Sequence, residues 1–574
     1  MEEKISDLNS LLKESEKQID EQLKNLSIWG NTFQAVYLSL LYNAEIFDKS
    51  GSGDSAMDYF GRTAELYKLL VKNTVPSDMP GSWASMSTVN DREQFADDVQ
   101  ALYVYSHFCM IMPQIHREVF SVSEVDGKSF KLDYRKEKTK EAETKDKLLS
   151  VLSQQMAIQF PDTQVLRRYL VEKVRMKDFE VGDKDYLWIK SMYVHHYRTM
   201  CRVQILTDEV LELHLHFSNN DYRHFTAVIV AFSDFFIELG RSCRDAVDEQ
   251  NLAEADTLVQ QHIEWTACSL EYGVLDNMRI ICGLQEERFN TLLSYYSQIY
   301  GVAQDPKYVS RAMCADGFLP PFVLTGSSVM FSPLAVRHLH PFSNLLYSVS
   351  KRQQSLFDNQ ISKHLEPVLI NQTDRLFSSF NGIQTKANEN YPGGEIDYMV
   401  LSESENVCIC FQVKATLTPS SSRTLERVEG RSMEGCDQID RFESLPVDVR
   451  DKIINNAFGT ALNDVKILSV LLVRSSAGSE KIWGTGKSIV NYNVLTGMLS
   501  NKKSKGDNSF AYFDKEIDEY LAEMLVIANP VVNSEKFDIQ DVSIEFPDIS
   551  MNDLDARARN GVHCMGFPDF EKAI

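Results

Sequence analysis

The sequence predicts a multidomain protein, with a mostly α-helical N-terminal region and an α/β domain that contains a mixed sheet. Helical periodicity dominates the first half of the chain, whereas short apolar strands alternate with helices in the second half. Between them, residues 301–325 concentrate Gly, Pro and Ser, as a domain boundary does. A chain of 574 residues is also too long for one compact core. We therefore divide it into 1–305, 306–504 and 505–574, the last with a helix at 514–527 and an acidic, irregular tail.

The region 1–305 is predicted to be mostly helical, with a small β insertion at 119–135 that contains the turn-forming pair Asp126-Gly127. An apolar stripe within 5–28 predicts a helix that packs on its own domain or forms a coiled-coil dimer. The charged run 135–147 is typical of a solvated helix or linker. This region carries no identifiable chemistry, so we assign it to recognition, regulation, homo-oligomerisation or contact with a partner protein. Further helices are expected at 31–47, 55–73, 91–116, 147–159, 164–176, 222–240, 243–271 and 284–300.

The region 306–504 follows the order of an α/β domain, with its core at 355–500. A helix at 353–379 precedes short β-rich segments, and a helix at 433–443 precedes the apolar strand Val465 to Val473. A near-continuous apolar run is expected where both faces of a sheet are covered. The sequence therefore predicts a hairpin that leads into a partly parallel sheet.

Composition favours a soluble, cytoplasmic protein without a membrane anchor. The apolar fraction is 43% and the aromatic fraction 10%, which suits a folded globular chain. The most apolar segment, Phe225 to Leu239, is shorter than the roughly 20 residues of a membrane span and contains Asp234 and Glu238. The N-terminus is polar and lacks a secretory signal. Ten cysteines without a C-x-x-C pair indicate buried thiols rather than zinc ligands.

The net charge of −23 argues against a protein that coats nucleic acid along its whole surface. A local basic groove is compatible with this charge. Any polyanion would then bind at a restricted site, with cations assisting.

The chemically informative stretch is GGEIDYMVLSESENVCICFQVKA, residues 393–415, in which two apolar strands flank a polar turn. Folding this hairpin about its centre places Asp397 opposite Gln412. Because side chains alternate along a strand, Glu395 shares a face with Asp397, and Gln412 shares it with Lys414. Two carboxylates, an amide and an amine are therefore expected to converge.

Hydrolysis of a phosphodiester would explain this combination, because negative charge accumulates on the phosphate as water attacks. The hard oxygen atoms of Asp397, Gln412 and Glu395 are suited to Mg²⁺, for which Mn²⁺ can substitute. Lys414 can orient the attacking water or neutralise the developing charge. The alternative is an exposed hairpin on which Lys414 and Asp397 merely form a cross-strand ion pair.

The E-x-D strand, the polar turn and the (E/Q)-x-K strand resemble the core of the PD-(D/E)XK, or restriction-endonuclease-like, superfamily. The resemblance implies an acidic metal ligand on the helix before the hairpin, matched by Glu366, and a helix after it that begins near a glutamine, matched by Gln438. The strand Val465 to Val473 matches the hydrophobic strand that follows. The arrangement is similar to bacterial stand-alone nucleases with a helical N-terminal module, some of which act in anti-phage defence.

One position departs from the family pattern, which favours Glu where this chain has Gln412. An amide oxygen still ligates a hard cation but brings no charge, so an inactive homologue remains an alternative. Arg423, Arg427 and Arg431 recur every four residues. On a helix they would line one face and meet a phosphate backbone, although nearby glutamates allow ordinary surface ion pairing instead.

These observations predict a Mg²⁺-dependent endonuclease, with DNA favoured over RNA because most of the resembling enzymes cut DNA. Two alternatives stay open: a catalytically inactive scaffold or binding protein with the nuclease fold, and a metal-dependent hydrolase of free nucleotides. A polymer-cutting enzyme needs a groove of arginines that leads to Asp397, whereas a nucleotide hydrolase needs a closed pocket.

Two other patterns are set aside. The segment Trp483 to Ser488 ends like a phosphate-binding loop, but Lys481 stands where that motif has its first glycine. His214 and His216 alternate as on a strand, yet nothing in their surroundings supports a zinc site.

Overall fold

A computed structural model defines the fold between residues 14 and 551. Within this span it leaves out residues 51–65, 67–68, 71, 76–93, 127–128, 155–162, 177, 179–180, 200–205, 249–267, 300–320, 325–328, 332, 334–335, 337–340, 418–421 and 540–541. Most of the predicted boundary at 301–325 and most of the helices predicted at 55–73 and 243–271 lie outside the described residues.

The N-terminal half is largely helical, as its periodicity predicts. Residues 14–23 are helical, and their apolar stripe packs into the protein's own core through Ile19 and Leu23. The labelled helices are α1 (Phe33–Ser50), α2 (Phe95–His116), α3 (Glu137–Gln154), α4 (Gln164–Arg175), α5 (Asp183–Thr199), α6 (Asp208–Leu215), α7 (Asn219–Asp248), α8 (Gly273–Cys282) and α9 (Glu286–Tyr296). The strands are β1 (Phe120–Asp126), β2 (Ser129–Tyr134), β3 (Cys268–Leu270) and β4 (Ser297–Ile299).

The C-terminal half alternates strands with helices. Its strands are β5 (Phe322–Leu324), β6 (Val329–Phe331), β7 (Ile383–Tyr391), β8 (Gly394–Ser402), β9 (Val407–Lys414), β10 (Lys466–Val473), β11 (Ser488–Asn491), β12 (Pro530–Ile539) and β13 (Val542–Met551). Its helices are α10 (Pro341–Arg352), α11 (Leu365–Phe377), α12 (Ser422–Glu443), α13 (Val447–Phe458), α14 (Tyr492–Ser504) and α15 (Phe513–Ala528).

A five-stranded mixed sheet, in the order β11-β10-β9-β8-β7, forms the centre of the α/β part. β7, β8 and β9 are antiparallel, whereas β9, β10 and β11 are parallel, so the expected hairpin does lead into a parallel sheet. Helices cover both faces. On one face the rings of Phe377 of α11 and Phe411 pack at a tilt, and on the other Phe442 of α12 packs with Ile454 of α13.

Two smaller sheets complete the fold. The described strands β3, β4, β5 and β6 form one of them, in the order β3-β6-β5-β4. The other has the order β1-β2-β13-β12, so the N-terminal hairpin pairs with the C-terminal one. Helix α3, which includes much of the charged run 135–147, packs against β2, β13, β11 and α14.

The irregular tail predicted after 514–527 is wrong for residues 530–551. The predicted helix is confirmed as α15, but β12 and β13 then form a long antiparallel hairpin. Apolar residues do alternate in β13, where Val542, Ile544 and Phe546 are buried. Ser543 and Glu545, which alternate with them, are more exposed, so the segment resembles a polar tail in composition.

The continuous helix predicted at 353–379 is also interrupted. A π-helical turn at Phe357–Ile361 and a 3₁₀ turn at Ser362–His364 precede α11. Pro367 lies in the first turn of α11. A proline has no amide proton to donate and its ring clashes with the carbonyl four residues earlier, so a regular α-helix cannot continue from the preceding turn through this position. Glu366 consequently lies at a helix start.

The strand expected around His214 and His216 is a helix instead. Thr207 caps α6 by accepting a hydrogen bond from the Val210 amide, and His216 ends the helix in a left-handed conformation. Helix capping therefore overrides the short alternation of apolar residues. Among the described residues, no helix has the length and apolar character to cross a membrane.

Candidate active site

The β8–β9 hairpin positions the predicted site. The ladder ends at the Tyr398–Phe411 pair, and extending its register by one residue places Asp397 opposite Gln412. Asp397 thus lies at the open end of the hairpin, where its Oδ2 accepts a hydrogen bond from the Val413 amide at 2.7 Å. The geometry expected from strand alternation is therefore present, and Asp397, Gln412 and Lys414 share one face of the sheet.

Lys414 and Gln412 are nearly buried beside Asp397. The Nζ of Lys414 lies 4.0 Å from Asp397 Oδ2, with the lysine side chain 4% exposed and the aspartate 16% exposed. The Nε2 of Gln412 donates to the backbone oxygen of Glu395 at 2.7 Å. Its Oε1 is buried and, within the described residues, has no hydrogen-bond partner. An amide oxygen is thus left available to a ligand beside the carboxylate.

Burial raises the pKa of Asp397 to about 6. The Val413 amide and the Lys414 ammonium oppose this rise, whereas the carboxylates of Glu366 and Glu395 add to it. All four groups therefore act on Asp397 electrostatically. Two negative neighbours make a cation at this position favourable, because a cation would offset their repulsion.

Helix α12 lies directly over the site. A Cβ placed on Gly435 would lie 2.6 Å from Leu471 Cδ1 and 3.2 Å from Lys414 Cε. Only glycine permits so close an approach of the helix backbone to Lys414. A glycine within a helical pattern costs stability relative to alanine, so Gly435 was a detectable signal that the sequence analysis missed.

Glu366 of α11 forms an ion pair with Arg431 of α12 and lies near enough to Asp397 for its charge to raise the pKa of that carboxyl. The Nη2 of Arg431 lies 3.2 Å from Glu366 Oε1, and its Nη1 donates to Glu434 at 2.7 Å. The predicted metal ligand and one predicted phosphate-binding arginine are therefore paired with each other. Arg427 is exposed, and the side chain of Arg423 lies outside the described part of the structure.

Gln438 lies on α12, one turn beyond Gly435. Its Oε1 is buried and has no partner among the described residues. The glutamine predicted at the beginning of the helix therefore stands well inside it, because α12 begins at Ser422 rather than near residue 433.

Among the described residues, no three His, Cys, Asp or Glu side chains are grouped to hold a metal ion. A protein site for Mg²⁺ often supplies only one or two carboxylates, with water and substrate phosphate completing the octahedron. Asp397 and the unpaired Gln412 oxygen fit such a site, with Glu366 close by. They do not form the closed cage of a structural metal.

The segment Trp483 to Ser488, which ends like a phosphate-binding loop, has a structural role through Lys487. Lys487 Nζ lies 2.7 Å from Asp440 Oδ1 and 2.5 Å from Glu443 Oε2, both on α12. The lysine thus anchors α12 rather than presenting a free charge to phosphate. Likewise, buried His196 is hydrogen-bonded to Asp234 at 2.8 Å, as a core histidine is.

Comparison of the chain with protein-family models, with curated proteins and with solved structures finds no match.

Proposed function

We propose that the chain is a metal-dependent nuclease that hydrolyses phosphodiester bonds of nucleic acid, with DNA as the favoured substrate. One observation carries the proposal: Asp397 Oδ2 lies 4.0 Å from Lys414 Nζ, on the face that also holds the unpaired oxygen of Gln412. The resemblance to bacterial nucleases suggests anti-phage defence as its setting.

In this proposal Asp397 and Gln412 would hold Mg²⁺, with Glu366 as a further ligand if its ion pair with Arg431 opened. The ion would supply Lewis acidity and lower the pKa of a bound water. Lys414, held over the site by α12, neutralises charge that develops on the phosphate. Arg431, once released from Glu366, is placed to contact the nucleic-acid backbone.

The test is cleavage of plasmid DNA, linear DNA and RNA with Mg²⁺, with Mn²⁺ and with a chelator. We expect cleavage that the chelator abolishes. Lys414→Ala should lower the rate by on the order of a hundredfold or more, because it removes a contact made to the transition state. Binding of nucleic acid should persist, since the backbone contacts are made elsewhere.

Lys386→Ala is the matched control, because Lys386 is an exposed lysine on the edge strand β7 of the same sheet. It should cleave like the wild type. If the wild type cleaves no nucleic acid with any metal, the nuclease proposal is wrong, and if Lys414→Ala cleaves as fast as the wild type, the role given to Lys414 is wrong.

A second candidate is a non-catalytic binding or scaffold protein. The burial of Lys414, whose side chain is 4% exposed and faces Asp397, favours it, because a buried ion pair can serve structure alone. This candidate predicts nucleic-acid binding that neither metal nor chelator changes, and no cleavage.

A further inference from the structure

A buried ion pair joins the N-terminal region to the helix over the candidate site. Arg117 follows α2 and pairs through Nη2 with Glu429 Oε1 of α12. The side chain of Arg117 is 21% exposed and that of Glu429 is 8% exposed. The pair is therefore largely shielded from water, unlike the exposed pairs elsewhere on α12.

Glu429 also holds the loop that follows β10. Its Oε1 accepts a hydrogen bond from the Ser479 amide at 3.1 Å. A Cβ on Gly478, whose φ is +113°, would lie 2.5 Å from Glu429 Cγ, so the loop backbone is pressed against the glutamate. One carboxylate thus connects α12, this loop and the N-terminal region.

The same loop is held a second time by α3. Asp146 accepts hydrogen bonds from Ser476 Oγ at 2.6 Å, from the Ala477 amide at 2.8 Å and from the Gly478 amide at 2.9 Å. The loop after β10 is therefore held both by Asp146 of α3 and by Glu429 of α12. Because β10 lies beside β9 in parallel register, this loop lies next to the end of β9 that carries Lys414.

We infer that Arg117 is a positioning residue, through which the N-terminal region sets the place of α12 and hence of Gly435 over Lys414. The catalytic consequence rests on the proposed nuclease function, whereas the control of α12 does not. Without Arg117, Glu429 would remain as a buried carboxylate without its cation, which favours outward movement of the helix. Movement of α12 would displace the surface against which the Lys414 side chain packs.

The test is hydrogen exchange of the backbone amides of α12 in the full-length protein. Arg117→Ala should raise the exchange rates of α12 by about tenfold or more, the effect expected when a buried charged partner is lost. Arg117→Lys should restore part of the protection, because it keeps the charge but loses the planar fork. Arg135→Ala is the control, because Arg135 pairs with Glu118, the neighbour of Arg117, in an exposed ion pair.

Glu429→Gln serves as a second variant, since it retains the shape and the acceptor for Ser479. It should raise exchange in α12 as Arg117→Ala does, and combining the two changes should add little. Unchanged protection of α12 in both variants would overturn the inference. So would a loss of protection spread evenly over all helices, because that result indicates general destabilisation.

Activity provides an independent measurement. If the wild type cleaves nucleic acid, Arg117→Ala should lower kcat at least about tenfold and change KM little, since positioning acts on the transition state. An unchanged kcat together with faster exchange would overturn the catalytic consequence. If the wild type does not cleave, the nuclease proposal fails, and the exchange rates alone decide whether Arg117 controls α12.

Discussion

Gln412 is the residue at which this site departs from the PD-(D/E)XK pattern that its hairpin resembles. Its amide makes one hydrogen bond to the Glu395 backbone and leaves its oxygen buried without a partner in the described structure. A buried unpaired oxygen costs stability, which is recovered if a cation binds there. Because the amide is neutral, Asp397 has two negative neighbours, Glu366 and Glu395, rather than three.

We expect Gln412→Glu to strengthen metal binding and to lower the stability of the metal-free protein. The new carboxylate would add repulsion to a site where burial, Glu366 and Glu395 already raise the pKa of Asp397. Added Mn²⁺ should therefore raise the melting temperature of Gln412→Glu more than that of the wild type, because a ligand that binds only the folded state stabilises it. Thermal unfolding with and without Mn²⁺ measures the difference.

Gln164→Glu makes the same chemical change at an exposed position at the start of α4, and it should respond to Mn²⁺ like the wild type. Equal Mn²⁺ responses in all three proteins would exclude Gln412 as a metal ligand.

At the scale of single elements, α12 depends on how closely its backbone approaches the sheet. Gly435→Ala should destabilise the protein by about 1–2 kcal/mol, because overpacking against Leu471 and Lys414 exceeds the gain in helix propensity. Gly430→Ala, in the same helix with no atom near its Cβ, should instead stabilise by about 0.5–1 kcal/mol. Urea denaturation measures both, and equal effects of the two substitutions would refute this account of the contact.

Local patterns predicted the hairpin of the candidate site because its geometry depends on adjacent residues. The alternation along β8 and β9 places Asp397, Gln412 and Lys414 on one face without reference to the rest of the chain. The Glu366–Arg431 pair was not predictable in this way, because it depends on how two helices meet. The Arg117–Glu429 pair joins positions 312 residues apart, and no local spacing indicates it.

The same reasoning explains the elements that were missed. β13 shows the alternation of a strand, but its neighbours in the sheet are β12 and the distant β2. A strand is stabilised by its partners, and sequence reading cannot identify a partner so far away. The roles of the site residues, the metal and the substrate remain predictions.

At the scale of the whole molecule, Glu143 makes stability depend on pH. Burial first, and then the Asp146 charge, raise the pKa of Glu143 from its ordinary 4.5 to about 7, and Glu429 adds to this while Arg117 opposes it. The folded state thus holds the proton more tightly than the unfolded chain. This stabilisation is complete below about pH 4.5 and is lost as the pH rises through about 7.

Glu143→Gln should therefore lessen the fall in the free energy of unfolding between about pH 4.5 and about pH 7, the span of the pKa shift. Urea denaturation at a series of pH values measures this fall. Glu141→Gln changes an exposed glutamate of the same helix and should leave the slope unaltered. If the free energy of unfolding of Glu143→Gln falls with pH as steeply as that of the wild type, the pH dependence belongs to other groups.

The pairing of Ser129 in β2 with Ser543 in β13 has a consequence for how the protein is made. Ser543 follows Ser129 by 414 residues. At ribosomal rates of about 5–20 residues per second, β13 is synthesised roughly 20–80 s after β2. During that interval one edge of the nascent hairpin stays open, and an open strand edge invites pairing with other chains. A chain that stops before β13 keeps this edge permanently, so the N-terminal hairpin marks truncated translation products for aggregation or for recognition by chaperones.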